Sequence, residues 1–94
     1  MTDGIDLNVF DMTDRRVLIT GAAGGIGSAM ARSFSAHGAT LVLADRNQTG
    51  LDELATSVGG NPPCLGYDQS IPEEVEQLAV EAGPIDILLN NAGI

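Results

Sequence analysis

Eight consecutive residues, Thr20-Gly21-Ala22-Ala23-Gly24-Gly25-Ile26-Gly27, place glycines where a main chain could cradle phosphate. Gly21 permits a sharp exit from a preceding strand. Gly25 lets the backbone approach a pyrophosphate with no Cβ in the way, and Gly27 lets a following helix pack closely on a sheet. A helix opening here adds free N–H groups and the positive end of its dipole. The plainer alternative is a flexible glycine loop. Asp45 lies about twenty residues further on, where a carboxylate accepts hydrogen bonds from an adenosine ribose. A 2′-phosphate would be repelled there, which favours NAD over NADP. Arg46 pulls the other way, because a guanidinium accommodates that phosphate. Read plainly, Asp45 is a turn or helix-capping residue. Asp68 is placed to meet an adenine edge or to serve as a turn carboxylate. Asn90 and Asn91 complete the set.

Four short apolar runs position these residues. Val17-Leu18-Ile19 reads as a buried strand leading into the glycines. Ile26, Met30, Ala31 and Phe34 recur at helical spacing, and Gly38 after His37 suits a helix C-terminus. Leu41 to Ala44 is a second strand, ending at Asp45. Leu51, Leu54, Ala55 and Val58 mark the next helix, stopped by Gly59-Gly60-Asn61-Pro62-Pro63. Cys64 to Tyr67 is a third strand, ending at Asp68. Ser70-Ile71-Pro72-Glu73 reads as a capping box for a helix whose apolar face is Val75, Leu78, Ala79 and Ala82. Ile85 to Leu89 is a fourth strand. The order β-α-β-α-β-α-β predicts an α/β fold, with parallel strands and right-handed crossovers. Residues 1–14 form a lead-in, and residues 15–94 one α/β unit. All four strands deliver polar or glycine residues at their carboxyl ends, the edge where open α/β sheets bind ligands.

Composition narrows the partners. The 94 residues are 44% hydrophobic and only 3% aromatic, so the core is aliphatic. The net charge of −9 disfavours nucleic acid and anionic membranes. An anionic dinucleotide would then be held mostly by backbone N–H groups. The single cysteine, Cys64, excludes an internal disulfide and a multi-cysteine metal site, and suits a small buried position. No run is long enough to span a membrane, and Met1-Thr2-Asp3-Gly4 carries no basic signal region, so a cytoplasmic location is expected. His37 reads as a surface residue near a helix end. Glu73, Glu74 and Glu76 read as a solvated helix face. Ser28 and Ser33 have no evident base partner.

The spacing Thr20-Gly21-x-x-x-Gly25-x-Gly27 resembles the cofactor motif of the short-chain dehydrogenase/reductase family, and differs from the general Gly-x-Gly-x-x-Gly form. Asn90-Asn91-Ala92-Gly93, after the fourth strand, is similar to that family's second signature. Asp68 matches its acidic residue after the third strand, and Phe10-Asp11-Met12-Thr13 its lead-in. The likeness covers nearly everything after Asn8. It implies a Rossmann-type doubly wound parallel sheet in order 3-2-1-4, truncated after the fourth strand. It implies Gly21, Gly25, Ile26 and Gly27 along the pyrophosphate, and Asp45 and Arg46 beside the adenosine ribose. It implies Asp68 and Gln69 at the adenine, and Asn91 beside the cofactor riboses. Family members that prefer NADP often carry a basic residue at the position of Gly24, so the resemblance favours NAD. It also implies hydride transfer with a small alcohol or carbonyl substrate, in a full-length enzyme that is a homo-oligomer.

The family's catalytic Ser and Tyr-x-x-x-Lys pair are absent from these residues. The chain has no lysine, and its one tyrosine, Tyr67, falls on the third strand. The 94 residues are therefore expected to hold cofactor without turning substrate over. They are also expected to self-associate through the uncovered apolar strand Ile85 to Leu89. A non-catalytic nucleotide-binding module and a structural piece that binds nothing are the competing readings.

Overall fold

The structure, a computed structural model, describes residues 11–91. The lead-in up to Phe10 and the signature residues Ala92 and Gly93 lie outside the described residues. Seven elements follow one another: β1 (Arg16–Thr20), α1 (Gly25–Ala36), β2 (Thr40–Asp45), α2 (Gln48–Val58), β3 (Cys64–Gly66), α3 (Pro72–Ala82) and β4 (Ile87–Asn90). The strands form one parallel sheet in the order β3-β2-β1-β4. This is the expected Rossmann-type arrangement. No helix among the described residues is long and apolar enough to cross a membrane.

Alternation along the strands sorts the core into two layers. Val17 and Ile19 of β1 pack with Leu41 and Leu43 of β2 against Ala31, Leu51 and Leu54 from α1 and α2. Leu18, Val42 and Ala44 face the other way, onto Leu78 and Ala82 of α3 and the ring of Tyr67. Side chains alternate between faces along a strand, so a strand covered on both faces must be apolar throughout. The inner strands β1 and β2 meet that condition. The outer strand β4 does not, for Leu88 is 56% exposed. Leu88 borders a groove of about 260 Å³ with Leu18, Val75, Leu78 and Ala79.

Three sequence expectations need correction. First, of the expected face of α1 only Ala31 is fully buried, Ile26 and Met30 are exposed, and Gly27 joins Ala31 against the sheet. The helix sits so close to the sheet that its contact stripe is made of small residues, and the larger side chains one position earlier turn outward. Val75 and Ala79 of α3 are likewise exposed beside buried Leu78 and Ala82. Second, α3 starts one residue later than the capping box requires, with Ile71 at the N-cap and no side-chain cap. A residue before proline is driven out of the α region, and Ile71 is extended (φ −110°, ψ 105°) ahead of Pro72 at the first helical position. Ser70 donates its hydroxyl to Asp68 Oδ1 at 2.7 Å rather than capping. Third, β4 begins at Ile87, two residues later than expected. The Asp86 carboxylate accepts the Arg16 N–H at 2.8 Å while the Asp86 N–H donates to the Arg16 carbonyl at 2.8 Å, so the sheet opens here on one side-chain and one main-chain bond. β3 also ends one residue early, at Gly66, although Tyr67 N–H still donates to the Asp45 carbonyl at 3.3 Å.

Candidate functional site

The sheet order reverses between β1 and β4, because the chain moves outward through β2 and β3 and then returns to the far side of β1. Crossovers diverge at such a point and leave a crevice beyond the carboxyl ends of the strands. Thr20-Gly21 and Asn90-Asn91 border it.

Gly21 takes φ +65°, a left-handed conformation that a side chain would strain. The turn it opens is held by main-chain bonds, Gly24 N–H to Gly21 O at 3.2 Å and Ala22 N–H to Ala44 O at 3.1 Å. α1 begins with Gly24 as an N-cap that provides no side-chain bond. Ser28 N–H, bonded to Gly24 O at 2.9 Å, makes the first intrahelical bond. The N–H groups of Gly25, Ile26 and Gly27 precede it and point from the helix start. No acidic residue occupies this first turn to neutralise the dipole.

The two later glycines differ. A Cβ built on Gly27 would overlap the Gly21 carbonyl oxygen, and would lie 2.9 Å from both Ala22 Cα and Asn91 Nδ2. The protein's own backbone therefore demands glycine at 27. A Cβ on Gly25 would meet nothing within 4 Å, and its backbone needs no positive φ.

Asp45 joins the turn to β2. Its Oδ2 accepts the Ala23 N–H and its Oδ1 the Asn47 N–H, both at 3.0 Å. The turn role and the ligand role weighed for Asp45 are thus compatible, because each carboxylate oxygen keeps a further lone pair. Asn47 in turn caps α2 by accepting the Gly50 N–H at 3.0 Å. Asn91 closes the site from β4, donating its main-chain N–H to Thr20 Oγ1 at 3.0 Å and its Nδ2 to Gly21 O at 3.3 Å. Asn91 Oδ1 is buried and accepts no hydrogen bond among the described residues.

The remaining expected site residues sit further along the same edge. Arg46 and Gln69 are exposed. Asp68 accepts the Ser70 hydroxyl and main-chain N–H on Oδ1, and those bonds, with the Arg46 charge, hold its carboxyl below the usual range. Its main-chain N–H donates to Glu74 Oε1 at 2.9 Å. Direct bonds thus connect Gly21, Asp45 and Asn91 through the turn, and Gly27 packs on it, while Arg46, Asp68 and Gln69 flank it from β2 and β3. His37 is exposed, with Nδ1 2.7 Å from the Ser33 carbonyl oxygen at the end of α1. Cys64 is half-buried, and burial pushes its thiol up.

Sequence reasoning left one group out of the site, the Thr20 hydroxyl. Thr20 is 6% exposed at the end of an apolar strand, and donates to Asn90 Oδ1 at 2.9 Å. A lone hydroxyl residue closing an apolar run was the available signal.

Comparison with known proteins agrees with the fold. The family model described as short chain dehydrogenase matches residues 15–94. A meso-2,3-butanediol dehydrogenase of Serratia marcescens is 42% identical over 83 residues, covering 83% of this chain and 33% of that protein. A fatty acyl-CoA reductase of Mycobacterium tuberculosis is 39% identical over 90 residues, covering 88% of this chain and 31% of the relative. Among solved structures, a 3-ketoacyl-(acyl-carrier-protein) reductase from Brucella melitensis, complexed with NADH, superposes with a TM-score of 0.76 at 32% identity. It covers 82% of this chain and 34% of that one. A short chain dehydrogenase/reductase family protein superposes with a TM-score of 0.84 at 33% identity, covering 89% of this chain and 36% of that one. The chain thus spans about a third of the length of the curated relatives it matches.

Proposed function

The chain belongs to the short-chain dehydrogenase family, and on that premise we propose that it forms the NAD-binding part of an oxidoreductase acting on an alcohol or carbonyl substrate. One observation carries the reading: glycine is required at 27 by the protein's backbone, but at 25 by nothing among the described residues. A ligand that must approach the main chain at Gly25 accounts for the second glycine, and the N–H groups of Gly25, Ile26 and Gly27 suit a pyrophosphate there. The donor set fits the rest of a dinucleotide. Asp45 has lone pairs for ribose hydroxyls, and the buried acceptor Asn91 Oδ1 suits a hydroxyl donor. Asp68 and Gln69 stand at the adenine side.

When bound, nicotinamide supplies or receives the hydride. These 94 residues bind and orient the cofactor. They contain no lysine, and their single tyrosine lies just after β3, so the family's Tyr-x-x-x-Lys pair is not among them. That same fact favours a second reading, a nucleotide-binding module without catalysis. A Tyr-x-x-x-Lys encoded in frame beyond Ile94 supports the enzyme, and a stop codon there supports the module. The proposal extends to a cytoplasmic, homo-oligomeric parent enzyme, on the family's pattern and on the acidic charge of this chain.

The preference for NAD rests on the Asp45 charge and on Gly24, which offers no cation to a 2′-phosphate. It is supported by the NADH held by the Brucella melitensis reductase. Titration of the chain with NADH and NADPH tests it. NADH is expected to bind at least about tenfold more tightly, as a charge repulsion of ~1.4 kcal/mol would give. Asp45→Asn, which keeps one acceptor oxygen but loses the charge, is expected to narrow that gap. Equal affinity of the unsubstituted chain for both cofactors would sink the assignment of NAD.

A further inference from the structure

Gly50 stands inside α2, where the backbone does not call for glycine. It is the third residue of the helix and takes no positive φ. Only proline is a poorer helix former. Its neighbours account for it. A Cβ on Gly50 would lie 2.7 Å from Asn47 Nδ2 and 2.8 Å from Ala23 Cβ, whereas ordinary carbon contacts begin near about 3.5 Å. The two obstacles differ. The Asn47 amide is the end of a side chain and can turn away, at the cost of the cap bond in which its Oδ1 accepts the Gly50 N–H at 3.0 Å. Ala23 Cβ cannot turn away, because it moves only with the main chain of the glycine turn.

The joint between Gly50 and Ala23 is the one that Asp45 spans. On the turn side, Asp45 Oδ2 accepts the Ala23 N–H; on the α2 side, Oδ1 accepts the Asn47 N–H, both at 3.0 Å. Neither side of the joint is loose. α2 is anchored by Leu51, which is fully buried, and by Leu54. The turn is tied by Ala22 N–H to Ala44 O at 3.1 Å and by Gly24 N–H to Gly21 O at 3.2 Å. A methyl wedged between them moves the turn and α2 apart, and with them the two N–H groups that the carboxylate bridges.

We propose that Gly50 is a positioning residue: its bare Cα lets the first turn of α2 rest on Ala23, and that contact sets the spacing of the two N–H groups that aim the Asp45 carboxylate. Gly50 itself touches no ligand in this arrangement. It acts through Ala23 and Asn47, one on each side of Asp45. The effect on ligand binding rests on the dinucleotide reading above, in which Asp45 receives the adenosine ribose; the packing of the joint does not.

Gly50→Ala adds the methyl, and Ala23→Gly removes the carbon it meets, so the double variant tests the contact itself. Two readouts are taken on the isotopically labelled chain: hydrogen-exchange protection of the residue 23 amide, relative to that of Leu18 and Ile19, and NADH affinity by titration. In Gly50→Ala the protection is expected to fall about fivefold and the NADH Kd to rise by a similar factor, the weight of one hydrogen bond. In the double variant both are expected to return to within about twofold of the Ala23→Gly chain. Damage unrelated to the contact would not be repaired by removing a second methyl. A folded Gly50→Ala chain with unchanged protection at residue 23 overturns the proposal, and so does a double variant no better than Gly50→Ala. Lost protection with unaltered NADH affinity also overturns it, because the joint would then not aim Asp45. Failure of the unsubstituted chain to bind NADH defeats the dinucleotide reading instead, and protection at residue 23 still decides the contact. If Gly50→Ala does not fold, the double variant decides alone: a recovered cooperative melt supports the contact, and an unfolded double variant overturns it.

Discussion

Replacing Gly27 by alanine should damage the fold, and replacing Gly25 should not. At position 27 the new methyl overlaps the Gly21 carbonyl oxygen and sits 2.9 Å from Ala22 Cα and Asn91 Nδ2. Ordinary carbon contacts begin near 3.5 Å, so α1 must withdraw from the turn by at least about 0.6 Å. Two of the three obstacles are main-chain atoms, which cannot rotate aside. Overpacking of this kind costs ~1–3 kcal/mol, and the higher helix propensity of alanine returns at most ~1 kcal/mol. A net loss of about 2 kcal/mol lowers the melting temperature of a domain this size by roughly 8–16 °C. At position 25 the methyl enters open space, so the melting temperature should hold or rise by a few degrees. Under the proposed function the same methyl obstructs the pyrophosphate, and NADH affinity should fall at least about tenfold. Thermal melts followed by circular dichroism, paired with NADH titrations, check both. A Gly27→Ala chain that melts with the unsubstituted protein would refute the steric reasoning. A Gly25→Ala chain with full NADH affinity would refute the ligand explanation of that glycine.

Other outcomes follow from the same geometry. The Tyr67 phenol should titrate above the ordinary phenol range, mainly because it is buried and secondarily because Asp45 is near, with the Thr20 hydrogen bond offsetting part of the rise. A folded pKa above the unfolded one gives stability that is complete below the unfolded value and lost as pH climbs through the folded value. Denaturant midpoints should therefore decline in alkali in Tyr67 but less so in Tyr67→Phe. Asp68 behaves oppositely. Its lowered pKa, set first by the Ser70 hydroxyl, gives stability present above the unfolded value and lost on acidification, and Ser70→Ala should raise the Asp68 pKa seen by NMR titration. These 94 residues on their own should associate as concentration rises, because Leu88 and Val75 are exposed beside the outer strand. Leu88→Lys should suppress that in sedimentation velocity, and association that survives it would point to another surface.

The sheet was legible because β1 and β2 carry unbroken apolar runs, Val17–Ile19 and Leu41–Ala44, each closed by a polar residue and a turn. The glycine turn was legible for the same reason. The contact face of α1 was legible only in part, since apolar spacing picks out Ile26 and Met30 along with Ala31, whereas the close approach of helix to sheet keeps only Ala31 of these, beside Gly27. The start of α3 was misread because Ser70 looks like a cap until Asp68 claims its hydroxyl. Asp45 was seen as a choice between turn and ligand residue, and only the geometry showed that one carboxylate can do both. The burial of Tyr67 with Leu18, Val42 and Ala44 joins residues of three strands, a relation that no local pattern encodes.

The odd–even division of β1 sets where this chain can tolerate a change in length. Val17 and Ile19 supply one core and Leu18 the other. A single residue inserted within β1 would turn every later side chain of the strand to the opposite face. Thr20 would then point towards α1 and α2, away from Tyr67, and its hydroxyl would be buried among Ile19's former neighbours. The connection from Gly59 to Pro63 has no such parity to preserve. Gly59, Gly60 and Asn61 already adopt positive φ there, outside any helix or strand. An extra residue in that loop adds little closure entropy. Length variation should therefore be absorbed at residues 59–63 and rejected between residues 16 and 20.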